Sequence, residues 1–383
     1  MKKNRIVSVI IAVAVVMSMT FASGLGVFAG TVTNGTTAAG TIAAQDMNST
    51  DDSGYASYTA RAIKNSSAVV PVTVKSAGTI IVPLQGIAVG KGLTVTVHTD
   101  AAATDANRIG YSRYLSSSKL DDTLTADVTK AGTYYLKFDT WANVEQSADF
   151  KVKFAPAEGI LKSGKVFYGS SVDNSFSYYK ITVPGNGYLK VTVPEMDESS
   201  SYHYYYIKVT NSSKKNLLAG DKSLYASNNY TGYFGVKKGT YYIAVKNTDK
   251  YYGLKATFSS VKENSGASKS KAKSISKGST KKGVITANQK AGTGDWYKFV
   301  VKKTQKVTLK VNTKLGGYSG GIKFAVYKKG DSYPFGSRNA YDTASGELKP
   351  YTFGKGEKLA AGTYYIKVEK YSDGNGYYSI KWK

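Results

Sequence analysis

One strand is written three times into this chain: AGTYYLKF at 131–138, KGTYYIAV at 238–245 and AGTYYIKV at 361–368. Tyr and aliphatic residues alternate with Thr, Tyr and Lys at period two, the pattern of a strand with one buried and one outer face. The copies begin 107 and 123 residues apart. That spacing is too long for a solenoid unit and suits repetition of a whole domain. A chain of 383 residues has room for two to three domains. Each copy is therefore expected to close a β module of ~100–125 residues, enough to bury a core of its own.

Other strands travel with the repeated one. SYYKITVPGNGYLKVTV at 177–193 aligns without a gap on DWYKFVVKKTQKVTLKV at 295–311. Both alternate Tyr, an apolar residue and Val through a first strand (Tyr179, Ile181, Val183; Tyr297, Phe299, Val301), turn, and alternate again. Upstream, Gly164 and Gly169 are five apart, as are Gly278 and Gly283. VVPVTVKSAGTIIVPL at 69–84 has the same alternation without the Tyr, so the first module is the most divergent. The modules fall at 30–156, 157–262 and 263–383. Residues 30–55 read as a loose leader. The early part of SGASKSKAKSISKGSTKKG (265–283) reads as a solvated Lys/Ser/Gly linker. SDGNGYYSIKW at 372–382 reads as a hairpin return with its turn at Asp373 to Gly376. No window has sustained helical periodicity. The expected fold class is all-β: three tandem antiparallel β-sandwich modules.

The N-terminus begins with Lys2, Lys3 and Arg5, continues as an apolar run and reaches Val27-Phe28-Ala29. This is the pattern of a cleaved secretory signal over 1–29. No later stretch is apolar enough to span a bilayer, so no membrane span is expected in the mature chain. The C-terminus shows neither an anchor tail nor a sorting motif. The protein is expected outside the cell, free or held non-covalently at its surface. There is no cysteine, which excludes disulfides, thiolate metal sites and a cysteine nucleophile.

The strand motifs resemble the bacterial pre-peptidase C-terminal domain. The third module carries the full set: Asp295, Tyr297, Phe299 and Val301; then Val307 and Leu309; then Gly362, Thr363, Tyr364, Ile366 and Val368; then Gly376, Tyr378 and Ile380. In the second module Ser177 stands in the place of Asp295, and the first keeps only the final strand clearly. The resemblance implies a jelly-roll-like sandwich. It also implies a non-catalytic appendage of the kind found on secreted proteases and other extracellular enzymes, some of which bind collagen, polysaccharide or calcium. No enzyme domain accompanies the modules here. The acidic cluster Asp46, Asp51 and Asp52 is better read as a solvated loop than as a calcium site, which needs six to eight oxygens.

Catalytic patterns are missing. His98 and His203 stand in no metal-ligand spacing, and no nucleophile elbow or phosphate loop occurs. The carboxylates of EMDES (195–199) follow a strand directly and read as a loop. The expectation is no enzyme and no cofactor. Charge is more informative. Lys and Arg against Asp and Glu count 3 to 0 over 1–29, 11 to 11 over 30–156, 14 to 7 over 157–262 and 24 to 8 over 263–383. Nearly all the excess is lysine and it rises toward the C-terminus. Such a field draws polyanions and is screened by salt. For an exported protein the fitting partners are an anionic cell-wall polymer or an extracellular glycan, and a secreted enzyme if the modules are accessories. Nucleic acid is not an expected partner. The same lysines would also serve a purely structural protein by keeping its sheets soluble and their edges unpaired.

Strand parity separates the tyrosines. Tyr134, Tyr241 and Tyr364 share a face with Leu136, Ile243 and Ile366 and are expected in the core. Tyr135, Tyr242 and Tyr365 point outward, and Trp296 alternates away from Tyr297 and Phe299. These outward rings could stack on sugars. With Lys302, Lys303 and Lys306 in one turn, and Lys367 beside Tyr365, they form the candidate ligand-binding set.

Overall fold

The computed structural model describes residues 30–33, 41–49, 54–63, 65–193, 204–217, 222–225, 230–247, 251–290, 292–316, 320–341 and 358–383. The protein is all-β. Among the described residues the sole helical piece is the three-residue 3-10 turn Asp105–Asn107. The chain forms two compact units. One holds residues up to Lys75 with Ile80–Ala126 and Ala131–Phe154. The other holds Ser76–Thr79, Asp127–Lys130 and Ala155–Lys383.

The same strand order occurs three times. In the N-terminal region a five-stranded sheet runs Ile42–Ala43, Ser67–Val74, Gly132–Asp139, Leu93–His98, Arg108–Leu115. In the middle it runs Glu158–Ile160, Ser177–Val183, Gly239–Asn247, Tyr204–Asn211, Lys222–Tyr225. At the C-terminus it runs Lys273–Ser274, Gly294–Val301, Gly362–Ser372, Gly320–Lys328, Gly336–Tyr341. The repeated GTYY strand is the central strand each time. A second sheet faces each one. In the middle it is Val166–Gly169, Tyr252–Ser260, Gly187–Val193, Tyr230–Val236, and at the C-terminus Thr280–Ile285, Asn375–Trp382, Leu309–Gly316.

Alternation explains the cores. Tyr179, Ile181 and Val183 meet Leu189, Val191 and Leu254 in one cluster, and Tyr297, Phe299 and Val301 meet Leu309, Val311 and Ile380 in another. Tyr134, Tyr241 and Tyr364 are buried as parity predicts, at 7%, 7% and 3% exposure. The paired glycines have two jobs. Gly164 and Gly278 both turn the chain at φ 80, a left-handed conformation that glycine adopts without penalty. Gly169 and Gly283 make room for a buried hydroxyl: a Cβ on them would lie 2.3 Å from Tyr179 Oη and 2.2 Å from Tyr378 Oη.

Three expectations are corrected. Residues 30–55 are not a loose leader: among the described ones Gly30–Thr33 pairs with Tyr58–Ala62, Ile42–Ala43 with Ser67–Val74 and Gln45–Asp46 with Lys153–Pro156, because sheet edges give these short pieces backbone partners. The final return is not a hairpin. Gly362–Ser372 pairs with Gly294–Val301 and Gly320–Lys328, whereas Asn375–Trp382 pairs with Thr280–Ile285 and Leu309–Gly316 in the facing sheet. Ser372, at φ 52, turns the chain across the sandwich, and Asn375, fully buried, donates from Nδ2 to Asp373 O (3.2 Å) and accepts at Oδ1 from Gly235 N (2.9 Å). Nor is the start of the third segment a solvated linker. Gly266 exchanges backbone hydrogen bonds with Trp296 (2.8 and 2.9 Å), Lys273–Ser274 joins the sheet in parallel, and Ala272 and Ile275 are buried. A sheet edge supplies backbone partners to a segment whose own apolar content is too small to predict order.

Candidate functional site

The outer face of the C-terminal five-stranded sheet carries three of the residues singled out by parity. Trp296 lies opposite Lys367, and Tyr365 lies opposite both Lys298 and Tyr327. Trp296 packs on Tyr327 at 5.3 Å between centroids. The structure thus brings Trp296, Tyr365 and Lys367 together. It also covers them. Lys269 Nζ sits 5.2 Å from the Tyr327 ring and 5.3 Å from the Tyr365 ring, and donates to Asp331 O. Lys367 Nζ bonds Glu369 Oε2 at 2.6 Å and Gly292 O at 2.9 Å, 5.8 Å from the Trp296 ring. The cations above these rings belong to the chain itself, so neither the rings nor Lys367 stand free.

The remaining candidates lie apart. Tyr242 is half-buried on its own sheet beside Tyr178 (6.3 Å), with Lys214 Nζ 5.7 Å from the Tyr242 ring and 4.6 Å from the Tyr178 ring. Tyr135 is half-buried between Pro71 and His98. Lys302 and Lys303 are exposed at the bend after Gly294–Val301, ~20 Å along the strand from Trp296. Lys306 is exposed too, but it is not in the turn. It belongs to the short strand Gln305–Lys306, opposite Lys358. His98 ends its strand fully buried, with Nε2 2.8 Å from Thr96 Oγ1 and Nδ1 3.0 Å from Thr104 O and 3.1 Å from Asn107 Oδ1. Both ring nitrogens are engaged, as a structural histidine requires. Asp46 accepts from Asn48 N (2.8 Å) and Asn48 Nδ2 (2.9 Å). Residues 1–29, Asp51, Asp52, 195–199 and His203 lie outside the described residues.

A second surface was not anticipated. Gly235 O accepts from Ala287 N and Gly235 N donates to Asn375 Oδ1, both at 2.9 Å. These bonds join the edge strand Tyr230–Val236 of the middle sandwich to the C-terminal one. A Cβ on Gly235 would lie 2.1 Å from Ile285 O, so only glycine fits the seam. Tyr188 packs on Tyr233 of its own sheet (5.9 Å) and, across the seam, on Tyr377 (5.6 Å). Lys314 Nζ lies 5.5 Å from the rings of Tyr188 and Tyr233, and 3.4 Å from Tyr188 Oη. The outer faces of the two sheets therefore run into one another. Lys190 is opposite Tyr233 at one end. At the other end Lys381 is directly opposite Lys310, and Lys282 is opposite Ser379, two residues along. Among the described residues no carboxylate pairs with Lys190, Lys282, Lys310, Lys314 or Lys381.

Inside the C-terminal sandwich is a buried polar chain. Tyr297 Oη and Tyr378 Oη are 2.8 Å apart, and Tyr378 Oη donates to Asp295 Oδ2 at 2.7 Å. Ser265 Oγ lies 3.0 Å from Asp295 Oδ1 and 2.6 Å from Glu263 Oε1. Burial, and secondly the neighbouring Glu263 carboxylate, push the Asp295 carboxyl up to about 7. This network clips the segment at 263–266 to the core. The middle sandwich repeats the tyrosine couple, Tyr179 and Tyr252, at 3.0 Å.

No family model matches the sequence, and no curated protein matches it. Among solved structures the chain is similar to the pre-peptidase C-terminal domain of a collagenase from Bacillus anthracis. The identity is 21%, over 33% of this chain and 100% of that one, with a TM-score of 0.23. It is also similar to tandem CBM51 modules of a family 98 glycoside hydrolase from Streptococcus pneumoniae, at 9% identity, 51% and 82% coverage, and TM-score 0.19. A Clostridium perfringens catalytic domain joined to two CBM51 domains matches at 11% identity, over 84% of this chain and 34% of that one, with TM-score 0.18.

Sequence reasoning missed Lys282, Lys310, Lys314 and Lys381. Parity places each on an outer face, as it does Lys367. What the sequence does not show is which strands lie side by side, and so which lysines collect.

Proposed function

We propose that this is an exported, non-catalytic protein of three tandem modules, at 30–156, 157–262 and 263–383 after a signal at 1–29. It binds an anionic polymer of the cell envelope or the extracellular matrix. The observation that carries this reading is the excess of positive charge over 263–383, 24 basic residues against 8 acidic, with lysines on a sheet that no carboxylate pairs among the described residues. Like charges directly opposite on neighbouring strands destabilise a sheet. Lys310 against Lys381 is such a cost, and an anionic ligand would offset it. The exported setting favours wall polymers and glycans over nucleic acid. Among the described residues no helix is long and apolar enough to cross a membrane.

A structural or accessory protein that only packs against a secreted enzyme is the second reading. It is favoured by the lysines that cap Trp296, Tyr327 and Tyr365, since these rings serve the chain's own packing. The two readings separate in a sedimentation assay with purified walls. A polymer binder is retained on walls that carry their phosphate polymers and released by extraction of those polymers. A scaffold stays in the supernatant in both cases.

A further inference from the structure

The seam face has three features that an accidental cluster of surface lysines lacks. It is continuous over two sandwiches, because Tyr188 and Tyr377 touch across the seam. It is held in one geometry, because Gly235 is bonded on both sides of its peptide to Ala287 and Asn375. And it is graded: rings of Tyr188, Tyr233 and Tyr377 surround Lys314 in the middle, with free lysines on either side. On their shared strand Lys310 and Lys314 are four residues apart, roughly 14 Å at about 3.4 Å per residue.

We propose that this face is the docking site for a linear phosphodiester polymer of polyol type, lying across the strands' outer faces with its phosphates on Lys190, Lys282, Lys310 and Lys381 and its carbon chain over the tyrosines. This rests on the polymer-binding reading above and names its site and ligand class. Every cation on the face is lysine, a compact point charge that attracts phosphate and carboxylate alike, so the choice of a polyol phosphodiester over a polyuronate follows from the rings. The tyrosines are half-buried, so each offers a ring edge and a hydroxyl. That suits a thin polyol chain better than the broad flat stacking surface a pyranose uses.

The test uses the full chain and measures affinity for poly(glycerol phosphate), polygalacturonate and neutral dextran at fixed low salt. Two variants remove the same charge: Lys282→Gln/Lys310→Gln/Lys381→Gln on the seam face, and Lys302→Gln/Lys303→Gln/Lys306→Gln away from it. Neither removes a buried group, and unchanged thermal melting confirms folding. The expected result is tightest binding to poly(glycerol phosphate), a loss of at least tenfold in the seam variant and under threefold in the other. Tyr188→Leu, which keeps bulk at the seam, is expected to lose severalfold. Equal losses in the two lysine variants overturn the site in favour of a diffuse field. Tighter binding of polygalacturonate overturns the ligand class. Failure of the full chain to bind either polyanion overturns the polymer-binding reading as well.

Discussion

Replacing Asp295 with Asn should remove part of the protein's pH dependence. In the fold the Asp295 carboxyl is pushed up to about 7, by burial first and by the Glu263 carboxylate second. In the unfolded chain an aspartate titrates near ~3.9. Between these values the folded protein holds a proton that the unfolded chain has released, so stability falls as pH rises from about 4 to about 7 and is level above that. At about 1.4 kcal/mol per pKa unit the full loss is about 4 kcal/mol. For a unit of over ~200 residues that is a fall in Tm on the order of 10 °C. Asparagine keeps the shape and never ionises. Its Oδ1 can accept from Tyr378 Oη and its Nδ2 can donate to Glu263. The assay is calorimetric melting of wild type and Asp295→Asn between pH 4 and pH 8. The variant should lose less stability over that range, and at pH 8 should melt higher than wild type. Parallel curves for the two proteins would show that Asp295 does not carry this pH dependence.

Other outcomes follow from packing. Tyr364 is buried, stacks on Phe299 at 5.5 Å and donates to Ala360 O at 3.0 Å, so Tyr364→Ala should cost about 3–5 kcal/mol in denaturant unfolding. Tyr365→Ala loses an outer ring and the Lys269 contact and should cost about 1 kcal/mol; equal losses would mean the strand parity is wrong. Gly235→Ala should lower stability by at least about 1–3 kcal/mol through its collision with Ile285 O, and Asn375→Ala by about 1–3 kcal/mol through the unpaired Gly235 N–H; unchanged melting of both would disprove the seam. Expressed alone, 263–383 should unfold cooperatively if the proposed modules are independent, and a disordered fragment would remove that division.

Much of the fold was legible because period-two alternation is a local property. Tyr297, Phe299 and Val301, or Tyr364 and Ile366, announce their buried face without any knowledge of their neighbours. The glycine pairs were visible as a spacing, though not their reason, since Gly283 makes sense only once Tyr378 is placed against it. The hairpin at 372–382 misled because an Asp-Gly-Asn-Gly turn suits both a hairpin and an arch between sheets. The buried partners of Asn375 decide the matter, and one of them is 140 residues away. The order at 265–275 was hidden for a similar reason: it is held by backbone bonds to Trp296 and Lys298, to which composition is blind. The site was least legible. Lys282, Lys310 and Lys381 collect only through the pairing of three strands distant in sequence, and Tyr188 reaches Tyr377 only through the seam.

The most direct test of the account is the salt dependence of poly(glycerol phosphate) binding by the full chain and by Lys282→Gln/Lys310→Gln/Lys381→Gln. Binding that releases counterions gives a linear fall of log affinity with log salt, with a slope set by the number of ionic contacts. The wild type should show a steep slope, and the variant a clearly shallower one with weaker binding. The same slope and the same affinity in both proteins would contradict the proposed site.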